Sequence, residues 1–241
     1  MQYWICKTPY SARIAIIALE RPFKIGFRIA QWGARQCPIL LVKARSLDFE
    51  RGIETSEFDY LIILAGPGDG PQARRLRLEI QSRRVGTILI VVNSGGELDE
   101  YGGDWDAMFV CPSGRWDEPL PLFFAGRLVG FGDDELFEVF RGNTVIVHPA
   151  DQHNLADLIL YEGARDLVVH FSAVGLACSA RSSFTLTEAE RIFDQIQALV
   201  VPRKCLFSVG FGCRAASPLQ IFNIQQGQSD PNGEGSMFRW A

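Results

Sequence analysis

Short, nearly continuous runs of apolar residues recur along the first half of the chain, and they constrain its fold more than any other feature. The first run is Arg-Ile-Ala-Ile-Ile-Ala-Leu at residues 13–19. A strand formed from such a run has no polar face, so it has to be covered on both sides. The segments between several of the runs have the helical spacing of apolar residues that suits such a cover. Strands are predicted at residues 13–19, 38–42, 60–65, 87–92 and 107–111, with helices near 25–33 and over 71–84.

The order of these segments is strand, helix, strand, which is typical of the crossover units that join parallel strands. The sequence therefore predicts an α/β protein with a Rossmann-like, mainly parallel sheet flanked by helices. Beyond residue 111 the pattern is less regular, and residues 145–147 could form a strand or precede a helix. The predictions for this half are an irregular segment at 112–132, a helix at 133–140, a long central helix within 149–171, a helix ending before Pro202, and strands at 205–209 and 219–224 that pair with each other.

Three regions follow from this reading of the chain. Residues 1–180 are predicted to form the core domain, and residues 181–224 a much reduced C-terminal part with one helix and strands. Residues 225–241 are mostly polar and glycine-rich, and such a segment buries too little apolar surface to hold a fold. The last region is therefore predicted to be a disordered tail.

Composition excludes several classes of function. The chain has 24 Lys and Arg against 28 Asp and Glu, a formal charge of −4, which argues against binding nucleic acid or a membrane surface by bulk charge. Its six cysteines form no CxxC pair, so no disulfide framework or metal site is expected. No apolar run approaches the length of a membrane span and no signal peptide is recognisable. A cytoplasmic protein is the expectation.

A glycine-rich turn, Ala-Gly-Pro-Gly-Asp-Gly at residues 65–70, lies between a predicted strand and the start of a helix. Glycines let a backbone approach an anion closely, and the first amides of a helix favour negative charge. Gly66, Gly68 and Gly70 are therefore candidate residues for binding a phosphate. The same spacing also suits a plain tight turn, because no GxGxxG or Walker sequence is present.

Arginines follow the turn on the predicted helix. Arg74 and Arg75 lie in its first turn, where their charge opposes the helix dipole. They are candidates for binding an anionic ligand or an acidic partner, since guanidinium groups bind phosphate and carboxylate in bidentate fashion. A solvated helix face is the alternative.

Residues 59–92 resemble the FtsZ/tubulin superfamily in their strand, glycine-rich signature loop, helix and strand. Two more segments are similar to that family: the opening strand–helix–strand at 13–42, and residues 105–115, a strand ending in a short turn with proline and arginine. The resemblance implies the family's nucleotide-domain fold, with GTP or GDP bound at the carboxyl edge of the sheet.

The chain departs from the family where the nucleotide would bind. The first phosphate loop is a glycine cluster in the family, whereas residues 19–23 are Leu-Glu-Arg-Pro-Phe. The second half of the signature loop is replaced by Pro-Gln-Ala-Arg at 71–74, and the segment before Asp59 is too short to hold the loop that reaches the γ-phosphate. No cofactor is therefore expected, and GTP hydrolysis is predicted to be lost.

Catalysis in the family comes from acids that follow a central helix and complete the site of the next subunit. Asp166 is the candidate here, with Glu162 as the nearest upstream acid. A second alignment places that loop at residues 175–183, which contain no carboxylate. Neither alignment restores a pair of acids.

The chain ends in Met237, Phe238, Arg239 and Trp240 after the polar segment. This layout is similar to the family's linker and terminal partner-binding peptide. Aromatic and arginine side chains anchor such peptides well because they fill pockets at a low cost in entropy. These four residues are candidates for binding a partner.

The prediction is an FtsZ/tubulin-like protein that binds other proteins or itself, in cell division or cytoskeletal assembly, and is not an active enzyme. One alternative is an atypical nucleotide-binding enzyme in which Arg74 or Arg75 supplies the charge at the modified loop. Another is a structural subunit of a larger complex.

Overall fold

In the computed structural model, the described strands form one eleven-stranded sheet with helices packed on both faces. The described residues are 2–7, 13–19, 40–46, 59–80, 86–92, 98–102, 105–124, 126–129, 133–150, 154–160, 166–173, 186–200, 205–211 and 219–226. The strands are β1 Gln2–Lys7, β2 Arg13–Ala18, β3 Leu40–Ser46, β4 Tyr60–Ala65, β5 Gly86–Val92, β6 Ala107–Cys111, β7 Gly126–Val129, β8 Asn143–Ala150, β9 Asp166–Ala173, β10 Cys205–Phe211 and β11 Leu219–Gln226. The helices are α1 Gly70–Ile80, α2 Leu120–Phe124, α3 Asp133–Phe140, α4 Leu155–Ile159 and α5 Leu186–Val200, with a 3-10 turn at Leu98–Tyr101.

The strand order is β3-β1-β2-β4-β5-β6-β8-β11-β9-β10-β7. The five central strands, from β2 to β8, run parallel to one another. Antiparallel pairs lie toward the two ends, where β1 joins β2 to β3 and β11 joins β8 to β9. The predicted α/β class, with a parallel core flanked by helices, is confirmed.

Both faces of the central strands are apolar, as the unbroken runs in the sequence require. On one face a single core extends from Ile14 on β2 to Val168 on β9 and is covered by α2 and α3. On the other face two cores lie side by side. α1 covers β2, β4 and β5 with Leu76 and Ile80, while α4 and α5 cover the strands from β8 to β10. The sequence predicts many of these elements well: β2, β4, β5, β6, α1 and α3 lie where they are expected.

The long central helix predicted within 149–171 is wrong. β8, α4 and β9 occupy that stretch instead. Leu167 and Val169 on β9 face one core, while Val168 faces the other. A run buried on both faces has no periodicity that separates a strand from a buried helix. The strand considered at 145–147 is present within β8.

Three further predictions need correction. Residues 112–132 are not wholly irregular, since α2 and β7 lie there, and Pro121 is tolerated because it stands in the first turn of α2. β10 and β11 both form, but they do not pair with each other, because β9 lies between them. β1 has no counterpart among the predicted strands. The helix near 25–33 lies outside the described residues. The disordered tail predicted at 225–241 is wrong at its first two residues, which extend β11, and the rest of it lies outside the described residues.

The C-terminal strands belong to the same sheet as the rest of the chain, with β11 inserted between β8 and β9. The division of the chain into three regions stays a prediction. Among the helices described, none is both long and apolar enough to cross a membrane.

Candidate functional site

The glycine-rich turn lies at the carboxyl edge of the parallel strands. β4 ends at Ala65 and α1 begins at Gly70, so the turn connects them directly. β2 is the neighbouring strand, and Leu19 at its end donates a hydrogen bond to the Leu64 carbonyl at 3.0 Å. From β2 the chain crosses to β3, which lies beyond β1 on one side, whereas from β4 it continues to β5 on the other side. The order of the strands therefore reverses between β2 and β4. Open α/β sheets bind ligands at such a switch point.

Asp69 closes the turn on itself. Its carboxylate accepts a hydrogen bond from the Gly66 amide at 2.9 Å, and its own amide donates to the Gly66 carbonyl at 3.2 Å. The Asp69 carbonyl accepts from the Ala73 amide at 2.9 Å, which is the first hydrogen bond of α1. Asp69 therefore fixes both the shape of the turn and the start of the helix.

The 3-10 turn Leu98–Tyr101 packs against the glycine-rich turn. Glu100 Oε1 accepts a hydrogen bond from the Gly68 amide at 3.2 Å, and the Tyr101 hydroxyl donates to the Gly66 carbonyl. Trp105 in turn donates its indole N–H to the Tyr101 carbonyl at 2.8 Å. Tyr101 is buried, and burial, with the Glu100 carboxylate as a lesser cause, raises the pKa of its hydroxyl. A neutral Tyr101 is what this donor role requires.

Two of the glycines are explained by the protein's own structure, one by its backbone conformation and the other by a close contact. Gly68 has a φ of +84°, a left-handed conformation that other residues rarely adopt. Gly70 has no such φ, but a Cβ added there would lie 2.5 Å from the Glu100 carbonyl oxygen and 2.7 Å from Glu100 Cγ. Gly70 is needed because the 3-10 turn approaches closely.

The amides of Gly66 and Gly68 therefore both point at carboxylates of the chain itself. Pro67 and Pro71 have no backbone N–H to offer. An anion arriving here would have to displace the Asp69 and Glu100 side chains or lie beside their negative charges. In chemical terms, two internal carboxylates occupy the amides that are candidates for binding an anion.

Arg74 and Arg75 are exposed on α1 near this turn. The Arg75 guanidinium pairs with Glu79 at 3.2 Å, one helical turn further from the glycines. Arg77 lies over the Trp105 ring, with its guanidinium carbon 5.9 Å from the ring centroid. The role of Arg74 and Arg75 in binding an anion stays a prediction.

Asp166, the candidate catalytic acid, is the first residue of β9. β9 runs in the same direction as β4, so its first residue lies at the amino edge of the sheet, opposite the glycine-rich turn. Four strands separate β9 from β4, a lateral distance of roughly 24 Å at about 4.8 Å per strand. The structure does not bring Asp166 and the turn together within one chain. Glu162, residues 175–183 and the terminal residues Met237, Phe238, Arg239 and Trp240 lie outside the described residues.

The turn after β6, residues 112–119, lies at the same edge of the sheet and buries Trp116, Glu118 and Pro119. Glu118 is 4% exposed, and burial raises the pKa of its carboxyl group. Gln220 on β11 donates a hydrogen bond to the Glu118 carbonyl. Within the described part of the chain, Trp116 Nε1, Glu118 Oε2 and Gln220 Oε1 are buried without a hydrogen-bond partner.

The sequence did not single out Glu100, Tyr101 or Glu118. Glu100 and Tyr101 lie more than thirty residues from the glycines that they contact, in a turn-rich segment without periodicity. No group of three or more His, Cys, Asp or Glu side chains within the described residues could hold a metal ion.

The fold and this site define an α/β protein with a parallel core and a glycine-rich turn at the switch point of its sheet. The sequence matches no protein-family model and no curated protein. Among solved structures it is similar to TubZ from Bacillus thuringiensis serovar israelensis, determined as a GTPγS-form protofilament, with 12% identity and a TM-score of 0.38. The similarity covers 74% of this chain and 63% of the TubZ chain, and it is a distant one of fold.

Proposed function

We propose that this chain is a tubulin/FtsZ-like protein that does not hydrolyse GTP and acts through contacts with other proteins or with copies of itself, in cell division or cytoskeletal assembly. One observation carries the proposal. The Gly66 and Gly68 amides, which a phosphate would need, are hydrogen-bonded to the Asp69 and Glu100 carboxylates.

Electrostatics make these bonds hard to replace. A bound phosphate would have to break two charge-assisted hydrogen bonds, one of them partly buried and the other exposed to solvent. The displaced carboxylates would remain close to a ligand of the same sign. The prolines on either side of the turn supply no further amides in compensation. Replacing the two carboxylates with a phosphate is therefore unfavourable, so the turn has a structural role.

A protein-binding role suits the surface of α1. Arg74 and Arg75 are exposed beside Leu78, which is itself 69% exposed. An exposed apolar side chain flanked by guanidinium groups is the usual composition of a protein contact, since arginine is enriched at the energetic centres of interfaces.

Isothermal titration of the full chain with GTP, GDP and ATP in the presence of Mg²⁺ tests the proposal. We expect no saturable heat, which corresponds to a Kd weaker than about 1 mM. Micromolar or tighter binding of any of the three nucleotides would overturn the proposal.

A matched variant tests the stated cause. Asp69→Asn combined with Glu100→Gln keeps the size of both side chains and removes their charge. We expect this variant to gain weak, millimolar binding of GTP that inorganic pyrophosphate competes away. If the variant binds no better than the unmodified chain, the internal carboxylates are not what excludes the nucleotide.

A further inference from the structure

Three leucines are the large apolar side chains that the described part of the chain leaves exposed. Leu78 on α1 is 69% exposed, Leu160 at the end of α4 is 56% exposed and Leu199 on α5 is 40% exposed. A single exposed leucine is ordinary on a protein surface. The distribution of the three leucines over the fold is what indicates a binding surface.

All three leucines lie on helices that cover the same face of the sheet. On β4 and β5, the residues that contact α1 alternate with residues of the continuous core beneath α2 and α3. On β9 and β11, the residues that contact α4 and α5 alternate with residues of that same continuous core. α1, α4 and α5 therefore share one face. None of the three exposed leucines belongs to α2 or α3 on the opposite face.

The charges on this face are divided between its two halves. α1 carries three arginines against one glutamate, and Arg74 and Arg75 are exposed. On the other half, among the side chains that the structure describes, the exposed acids are Asp157 of α4 and Glu190 and Asp194 of α5, and Arg191 is the exposed cation. α1 begins at Gly70, so Arg74 and Arg75 lie in its second turn rather than in its first turn as the sequence predicts.

We propose that this face binds a second copy of the chain, with α1 of each copy against α5 of the other. The inference rests on the proposed function, in which the chain acts through protein contacts, and it names the partner. A two-fold axis that lies in the interface, parallel to the sheet face and between its two halves, places the basic half of each copy against the acidic half of the other. The surface is then complementary to itself, which is the requirement for a closed dimer.

Two kinds of interaction stabilise this arrangement. Burial of Leu78, Leu160 and Leu199 removes apolar surface from water, and the two-fold axis doubles each contribution. The pairing of arginines with acids across the interface sets the orientation and speeds association. Because these charges lie near solvent, salt should weaken the dimer.

Sedimentation equilibrium of the full chain tests the proposal. We expect a monomer–dimer equilibrium with a Kd near or below about 10 µM at low salt, weaker in high salt. Arg74→Glu with Arg75→Glu should weaken the dimer at least about 100-fold, because each reversal acts at both contacts. Glu190→Lys with Asp194→Lys should have the same effect.

Mixing the two charge-reversed variants gives the sharpest result. Each variant alone places like charges against each other at both contacts and should be monomeric. In a mixed dimer both contacts are complementary again, so the mixture should associate as a heterodimer with an affinity close to that of the unmodified chain. Restored association also shows that both variants are folded.

Reversal of charge on the opposite face is the matched control. Glu135 and Glu138 are exposed on α3, so Glu135→Lys with Glu138→Lys should leave the dimer unchanged. A chain that stays monomeric at about 100 µM would overturn the inference. So would an assembly that grows beyond the dimer, or a dimer insensitive to both charge reversals.

This result is separable from the test of the proposed function. A monomer that binds no nucleotide overturns the two-fold dimer and leaves a protein-binding role with another partner. A dimer that binds GTP with micromolar affinity overturns the proposed function and leaves the dimer in place.

Discussion

Two turns lie at the same carboxyl edge of the sheet, one after β4 and one after β6. They differ in whether their polar groups find hydrogen-bond partners within the protein. In the glycine-rich turn, the Gly66 and Gly68 amides are bonded to carboxylates of the chain. At the turn 112–119, buried polar atoms of Trp116 and Glu118, and of Gln220 on the neighbouring β11, have no hydrogen-bond partner within the described part of the chain. The turn that resembles a ligand site is the one whose amides are already hydrogen-bonded within the protein.

The difference between the two turns shows what closely spaced glycines indicate in a sequence. Glycine permits a close approach to the backbone, and the approaching group can be a ligand or the protein's own 3-10 turn. In this chain it is the 3-10 turn, which packs its Glu100 backbone against Gly70 and its Tyr101 hydroxyl against Gly66. In the turn after β6, Trp116 packs into the apolar core instead.

The largest expected effect comes from filling the close contact at Gly70. Gly70→Ala places a Cβ 2.5 Å from the Glu100 carbonyl oxygen, which is backbone and cannot simply rotate away. We expect the free energy of unfolding to fall by about 3 kcal/mol, the upper range for overpacking. Urea denaturation of both proteins measures the change.

Gly68→Ala is the control for this substitution. A Cβ at residue 68 meets nothing within 4 Å, so only the left-handed φ of +84° opposes it. The expected loss is about 1 kcal/mol. Equal losses at the two positions would show that the 3-10 turn does not press on the glycine-rich turn.

A smaller effect is expected from Tyr101→Phe. The substitution keeps the ring in the core and removes the hydroxyl that donates to the Gly66 carbonyl. The carbonyl keeps its bond from the Asp69 amide, so the expected loss is about 1 kcal/mol rather than the full cost of an unpaired buried acceptor. Thermal denaturation with a matched Tyr60→Phe variant, at a half-buried position, measures it. A loss no larger than that of the control would mean that this hydrogen bond does not hold the two turns together.

The same comparison shows how far the sequence predicts the structure. The elements between β4 and β6 are predictable because Gly and Pro bound apolar runs there, and each run is a strand covered on both faces. β9 is not predictable, since Leu167, Val168 and Val169 are all buried and leave no periodicity to read. The site is less predictable still. The position of the glycine-rich turn is evident from the sequence. Glu100 and Tyr101, which contact that turn, lie thirty or more residues further along the chain, and contacts over such a separation leave no local sequence pattern.

The second turn is probed by Glu118→Gln, which is expected to stabilise the protein rather than destabilise it. Burial raises the pKa of Glu118 in the folded chain, so the folded state keeps its proton at pH values where the unfolded state has lost it. Stability from this group is present in acid and is lost as the pH rises from the ordinary carboxyl pKa through the raised one. Glutamine cannot ionise, so the variant should match the unmodified chain near pH 4 and exceed it by about 1 kcal/mol at pH 8, the cost of a poorly satisfied buried group.

Asp117→Asn provides the contrast on the same turn. Asp117 pairs with Arg115 at 3.1 Å and is more exposed than Glu118, so its neutralisation should give no gain at pH 8. Denaturant unfolding of the three proteins across this pH range measures both effects. A Glu118→Gln variant that is less stable at pH 8 would mean that the carboxylate is well satisfied there. The turn after β6 would then be as complete as the glycine-rich turn, and the contrast between them would disappear.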